Sequence, residues 1–147
     1  MARSRKRSGS SGTQKQPEPP VFFVDRSLGR LAFARPLYER GLRVELHDDH
    51  FDPGCPDQEW LAEAGRRGWV ALTRDLRIRY RTLEREAALA NGVRMISLTA
   101  RRLRAEELGR SFADAADRVE RFLRRHPHPF IATMGRSGGL RIVAQRK

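Results

Sequence analysis

Three aspartates in this chain stand where catalysis could be done. Asp25 directly follows the apolar run Val21-Phe22-Phe23-Val24, and Asp75 follows Leu72-Thr73 after one intervening residue, Arg74. If both runs are strands, both carboxylates fall at a strand's carboxyl end, where open α/β sheets hold their ligands. Asp57 opens the helix ahead of the second of these strands. It lies three residues before Trp60 and four before Leu61, a spacing that puts it on their inward face. Three carboxylates at one edge repel each other unless a divalent cation sits between them. Mg2+ and Mn2+ prefer oxygen ligands and use few protein carboxylates, completing their shells with water and substrate phosphate. Such an ion lowers the pKa of a bound water and shields the phosphate under attack. The competing use of each Asp is as a helix N-cap, since all three precede helix-like segments.

Other polar groups cluster nearby. Asp48-Asp49 also follow a strand candidate, flanked by His47 and His50; we read HDDH as a solvated loop with Asp49 as an auxiliary acid. Thr73, in the strand leading to Asp75, is a second auxiliary group. Arg74, Arg77, Arg79 and Arg81 surround Asp75 and are candidates for phosphate contact. Covalent catalysis has little to work with. Cys55 has no evident His partner, and no G-x-S-x-G elbow occurs. His126 and His128 are too sparse for a zinc site, and Trp60 and Trp69 read as core.

These residues need elements to hold them. Val21–Val24, Arg43–Leu46, Trp69–Thr73 and Val93–Leu98 read as strands. Between them, helical spacing predicts helices over Ser27–Arg40, from Asp57 to near Gly68, and over Thr82–Ala90. The first should bury Leu28, Leu31, Ala34, Leu37 and Tyr38 and end at Gly41. One longer helix is expected over Ala105–Arg125, carrying Leu108, Phe112, Ala115, Val119 and Phe122 inward. Phe130–Met134, Arg-Ser-Gly-Gly and Leu140–Val143 read as a closing β-hairpin. Strands alternating with helices predict an α/β fold with a mainly parallel sheet covered on both faces.

The charge names a partner class. The 147 residues carry a formal net charge of +12, with pI about 11.4, which points first to nucleic acid. All basic residues but Lys6, Lys15 and Lys147 are Arg. From Val21 to Arg94 the sequence holds 13 basic and 12 acidic residues; from Met95 to Lys147 it holds 12 and 5. An acidic pocket in a basic surface suits a metal-assisted phosphodiesterase acting on a polyanion. Residues 1–20, polar and basic with almost nothing apolar, read as a disordered tail ahead of one domain over 21–147. A single cysteine, no apolar run of membrane-spanning length and no apolar leader predict a protein of the reducing cytoplasm, with no membrane partner.

Taken together, the motifs resemble the PIN-like domains, in particular the small VapC-type toxin group. The resemblance rests on Phe22-Phe23-Val24-Asp25-Arg26-Ser27-Leu28-Gly29, on Asp57-Gln58-Glu59-Trp60, on Thr73-Arg74-Asp75 and on Pro129-Phe130. It covers about residues 21–143. It implies a three-layer α/β/α sandwich and a Mg2+- or Mn2+-dependent endoribonuclease whose catalytic and metal-holding residues are Asp25, Asp57 and Asp75. It also implies RNA as substrate and a cognate antitoxin as partner; a homodimer is a further expectation. The family commonly has a fourth acid after the next strand, where this chain has Ser97-Leu98-Thr99-Ala100. Thr99 is then the candidate to orient a water, and the site holds one ion or two. The alternative is a degenerate, noncatalytic RNA-binding module.

Overall fold

The computed structural model describes residues 18–74 and 82–146. Asp75, Arg77, Arg79 and Arg81 lie outside them, as do residues 1–17 of the expected tail. The strands are β1 (Val21–Val24), β2 (Arg43–Leu46), β3 (Val70–Thr73), β4 (Arg94–Leu98), β5 (Phe130–Met134) and β6 (Leu140–Gln145). The helices are α1 (Arg30–Glu39), α2 (Asp57–Arg67), α3 (Thr82–Ala90), α4 (Ala105–Asp114) and α5 (Ala116–Arg125). One sheet runs in the order β2-β1-β3-β4-β5-β6. Its first five strands are parallel, and β6 closes it antiparallel to β5.

Strand alternation divides the core into two layers. Phe22, Val24, Val70, Leu72, Ile96 and Leu98 face one way, onto Phe33 and Leu37 of α1 and Leu108 and Phe112 of α4. Phe23, Ala71, Met95 and Ile131 face the other way, onto Trp60, Leu61 and Ala64 of α2 and Ala88 of α3. Helices on both faces of a mainly parallel sheet make the expected α/β/α sandwich. Trp60 and Trp69 are core, as expected. Their rings stack against Phe23 at 5.3 and 5.4 Å, so each Trp is held by an aromatic contact as well as by burial.

Two helices differ from expectation. The first does not run continuously from Ser27. Arg26–Leu28 is a separate 3-10 turn, and Gly29, at φ +96°, breaks it from α1. The break resets the phase of the helix. Phe33, Ala34, Pro36 and Leu37 turn inward, while Leu31 (49% exposed) and Tyr38 (45%) face out. The predicted helix over Ala105–Arg125 is two helices, α4 and α5, interrupted at Ala115 (φ −95°, ψ 8°). Leu108, Phe112, Val119 and Leu123 nevertheless share one core layer across the break. The two helices therefore keep one buried side despite the interruption. Gly109 lets α4 approach α1 closely: a Cβ there would stand 2.1 Å from the Phe33 carbonyl oxygen.

Candidate active site

The site forms where the chain changes direction across the sheet. From β1 the chain goes outward to β2, then crosses back to β3 on the other side of β1. A crevice opens at the carboxyl ends of strands at such a switch point. Asp25 is the first residue past β1. Its backbone N–H extends the ladder to β3 by donating to the Leu72 carbonyl (3.0 Å). The apolar row Phe23, Ala71, Met95, Ile131 is followed one pleat later by Asp25, Thr73, Ser97 and Thr133. The sheet thus turns from carbon to oxygen at its carboxyl edge.

The Asp25 carboxylate is pinned by hydroxyls. Ser27 Oγ donates to Asp25 Oδ2 at 2.7 Å, and Thr73 Oγ1 donates to the same oxygen at 3.0 Å. The two hydroxyl oxygens stand 3.3 Å apart, and the Arg74 backbone N–H donates to Ser27 Oγ at 2.9 Å. Asp25 occupies the cap position of the following 3-10 turn but makes no side-chain cap bond. The capping use of Asp25 is therefore not what its carboxylate does. Both donors converge on Oδ2, which leaves Oδ1 as the oxygen not used in these bonds. Thr73 was expected as an auxiliary residue. Ser27 was missed, although its place two residues after Asp25, across a turn, is the signal that would have found it. Ser97 was missed as well. It is 1% exposed, and its hydroxyl has no hydrogen-bond partner among the described residues.

The other expected residues fall as follows. Asp57 is the first residue of α2, with Pro56 in the cap position. It is exposed, and its Oδ1 accepts the Trp60 indole N–H at 3.0 Å. Thr99 Oγ1 donates to the Met134 carbonyl at 3.2 Å, tying β4 to β5. Arg74 is half-buried, and its Nη2 donates to the carbonyls of Ala100 (3.3 Å) and Leu103 (3.0 Å). Asp48 pairs with Arg26 (2.9 Å) and Arg30 (3.0 Å). Asp49, like Asp48, lines a hollow of about 740 Å³ with His50, Asp52, Cys55 and Glu59. His47 is not a solvated loop residue. It is 4% exposed and packs against Phe51 and Phe23, with ring centroids at 5.4 and 6.0 Å. Burial and the hydrogen bond to Glu59 push the Cys55 thiol up to about 11, so it stays protonated near neutrality.

The donor chemistry at Asp25 suits a hard cation: a carboxylate oxygen beside two hydroxyls, with no sulfur or imidazole bonded to it. Among the described residues, no group of three His, Cys, Asp or Glu side chains stands close enough to hold a metal ion. Asp75, the next residue after Arg74, lies outside the described residues.

A three-layer sandwich with a carboxylate at its switch point defines a class that the comparisons identify. The family model described as "PIN like domain" matches residues 20–100, and the chain belongs to that family. The chain is also similar to a protein of Mycobacterium tuberculosis named "Putative ribonuclease VapC45". The two are 28% identical over 125 residues, which span 82% of this chain and 90% of that protein. No solved structure matches.

Proposed function

We propose that this protein is a metal-dependent endoribonuclease and the toxin of a toxin–antitoxin pair, acting in the cytoplasm. The observation that carries the reading is the Asp25 carboxylate, set at the switch point of a PIN-like sheet and held by Ser27 and Thr73 instead of capping a helix. The VapC name of its relative supports the ribonuclease activity and the toxin role. The residues proposed to hold the ion, Mg2+ or Mn2+, are Asp25, Asp57 and Asp75. When bound, the ion supplies a water of lowered pKa and neutralises charge on the phosphate. Within this reading the chain's own groups act around it. Ser27 and Thr73 fix the direction of the Asp25 carboxylate, Arg74 and Thr99 brace the loop from β4 to α4, and Arg77, Arg79 and Arg81 bind the RNA backbone. A cognate antitoxin and a second copy of the chain are the protein partners proposed with it.

The test is an assay of the purified protein on RNA with Mg2+ or Mn2+. Cleavage should stop on adding chelator. Asp25→Asn and Asp75→Asn should each cost several orders of magnitude in rate while leaving thermal stability undiminished. A helix cap behaves otherwise: its loss costs about 1 kcal/mol of stability. If Asp75→Asn cleaves as well as the parent, Asp75 is not a ligand. If the parent cleaves with neither metal, the noncatalytic RNA-binding reading replaces this one.

A further inference from the structure

Beside Asp25 lies an open cleft of about 360 Å³ lined by Ser27, Arg74, Leu98, Thr99 and Ala100, with Arg101 and Arg102 at its rim. It meets the candidate site through Ser27, whose hydroxyl donates to Asp25. The cleft has the volume of an ordinary small-ligand pocket. Its outer wall is the loop from β4 to α4, which is braced at several points. Arg74 holds it from beneath through the Ala100 and Leu103 carbonyls, and Thr99 is bonded to the end of β5 through both its N–H and its hydroxyl. At the far end, Glu107 accepts the Arg104 N–H at 2.9 Å and pairs with its guanidinium. Between these anchors Arg101 and Arg102 are exposed, and among the described residues neither has an ion pair. Arg102 is held at φ +64°, a backbone conformation L residues rarely adopt.

Two guanidiniums without carboxylate partners among the described residues, on a braced loop lining a cleft beside a carboxylate, offer what an anion site needs. Among the described residues, Arg26 and Arg30 beside the site are paired with Asp48, and Arg74 is bonded to backbone carbonyls. We propose that Arg101 and Arg102 bind a backbone phosphate of single-stranded RNA next to the scissile one, and so set the path of the strand across Asp25. Arg suits this task because its planar fork can engage two phosphate oxygens at once. The inference rests on the proposed ribonuclease reading for the identity of the polyanion, but the site can be measured without cleavage.

The experiment compares two charge-matched double variants in an Asp25→Asn background, with chelator present. One is R101Q/R102Q. The other is R124Q/R125Q, at the end of α5. There Arg94 of β4 binds the Leu123 and His126 carbonyls, which places those arginines at the opposite, amino edge of the sheet. Binding of a labelled single-stranded RNA is followed by fluorescence anisotropy across a salt series. R101Q/R102Q should weaken binding by about tenfold or more at low salt. It should also flatten the slope of log affinity against log salt by about 0.7, the release expected from one phosphate on a single strand. R124Q/R125Q should change both far less. Equal losses in the two variants mean a general field only and overturn the site, as does an unchanged R101Q/R102Q. With Asp25 restored, R101Q/R102Q should raise KM more than it lowers kcat. If the parent never cleaves but the R101Q/R102Q loss is seen, the phosphate site stands and the nuclease reading fails. If the parent cleaves and R101Q/R102Q leaves KM unchanged, the nuclease reading stands and the phosphate site fails.

Discussion

At the scale of single residues, the site is a contest over one carboxylate oxygen. Thr73 is fully buried, and its hydroxyl is bonded to Asp25. Replacing it with Val keeps the shape and removes the donor. We expect Thr73→Val to cost about 1 kcal/mol of stability in urea unfolding, the usual net worth of such a bond. Within the proposed function it should cost more in cleavage rate, because an unpinned carboxylate loses its aim; unchanged cleavage would deny Thr73 a positioning role. Cys55 offers a test by titration. Its thiol is raised from 9.0 to about 11, first by burial and then by Glu59. The raised pKa means less thiolate at any pH below it, so alkylation by iodoacetamide at pH 8 should be about a hundredfold slower than for an ordinary thiol. The rate should climb until about pH 11, and Glu59→Gln should move that profile to lower pH. A profile centred near 9 would show that the thiol is unperturbed.

At the scale of elements, Gly29 separates the 3-10 turn that presents Ser27 from the helix behind it. Its φ of +96° penalises any side chain, and a Cβ would lie 2.6 Å from the Cβ of Ala105. Gly29→Ala should therefore lower stability by about 1–3 kcal/mol, read as a fall in melting temperature; no fall would mean that α1 and α4 part easily. That glycine also explains why the pattern of the first helix misleads. Leu28, Leu31 and Tyr38 have helical spacing in the sequence, but a left-handed residue between Leu28 and Leu31 shifts the phase. Phe33, against the ring of Phe112, and Pro36 join Leu28, Ala34 and Leu37 in the core, while Leu31 and Tyr38 face out. The strands were easier to find. Val21–Val24 and Val70–Thr73 are short, largely apolar runs, as strands buried on both faces of a parallel sheet need, while Arg43–Leu46, at the sheet edge, alternates polar and apolar residues. The break at Ala115 had no marker, since alanine is the best of helix formers. Arg74 had a misleading one: a basic residue beside an acid reads as substrate contact, whereas its guanidinium supports a loop about thirty residues downstream, a pairing that only the crossover from β3 to β4 creates.

At the scale of the whole molecule, the order β2-β1-β3-β4-β5 makes a site possible from residues far apart in sequence. Asp25 and Thr73 are 48 residues apart but neighbours at the switch point. The position of Asp25 was legible because a strand-end rule fixes it without knowledge of side chains. The company it keeps was less so, because hydroxyls at Ser27 and Ser97 carry no charge to draw notice. Charge is the property that acts over the longest range. A net +12, with 12 basic and 5 acidic residues from Met95 onward, gives the molecule a positive long-range field despite its acidic residues. Binding of RNA and reaction of RNA should therefore be separable. Asp25→Asn removes one negative charge from the site, so in chelator it should bind RNA at least as tightly as the parent while failing to cleave. Neutralising Arg77, Arg79 and Arg81 together should do the reverse: weaker binding, and a slope of log affinity against log salt flatter by about 2, from about 0.7 per lost contact on a single strand. The sign follows from counterion release, since each phosphate left uncovered keeps its cation and no longer responds to added salt. Affinity indifferent to both salt and these three substitutions would mean that the basic surplus serves something other than a polyanion, and would remove the ground for RNA as the substrate.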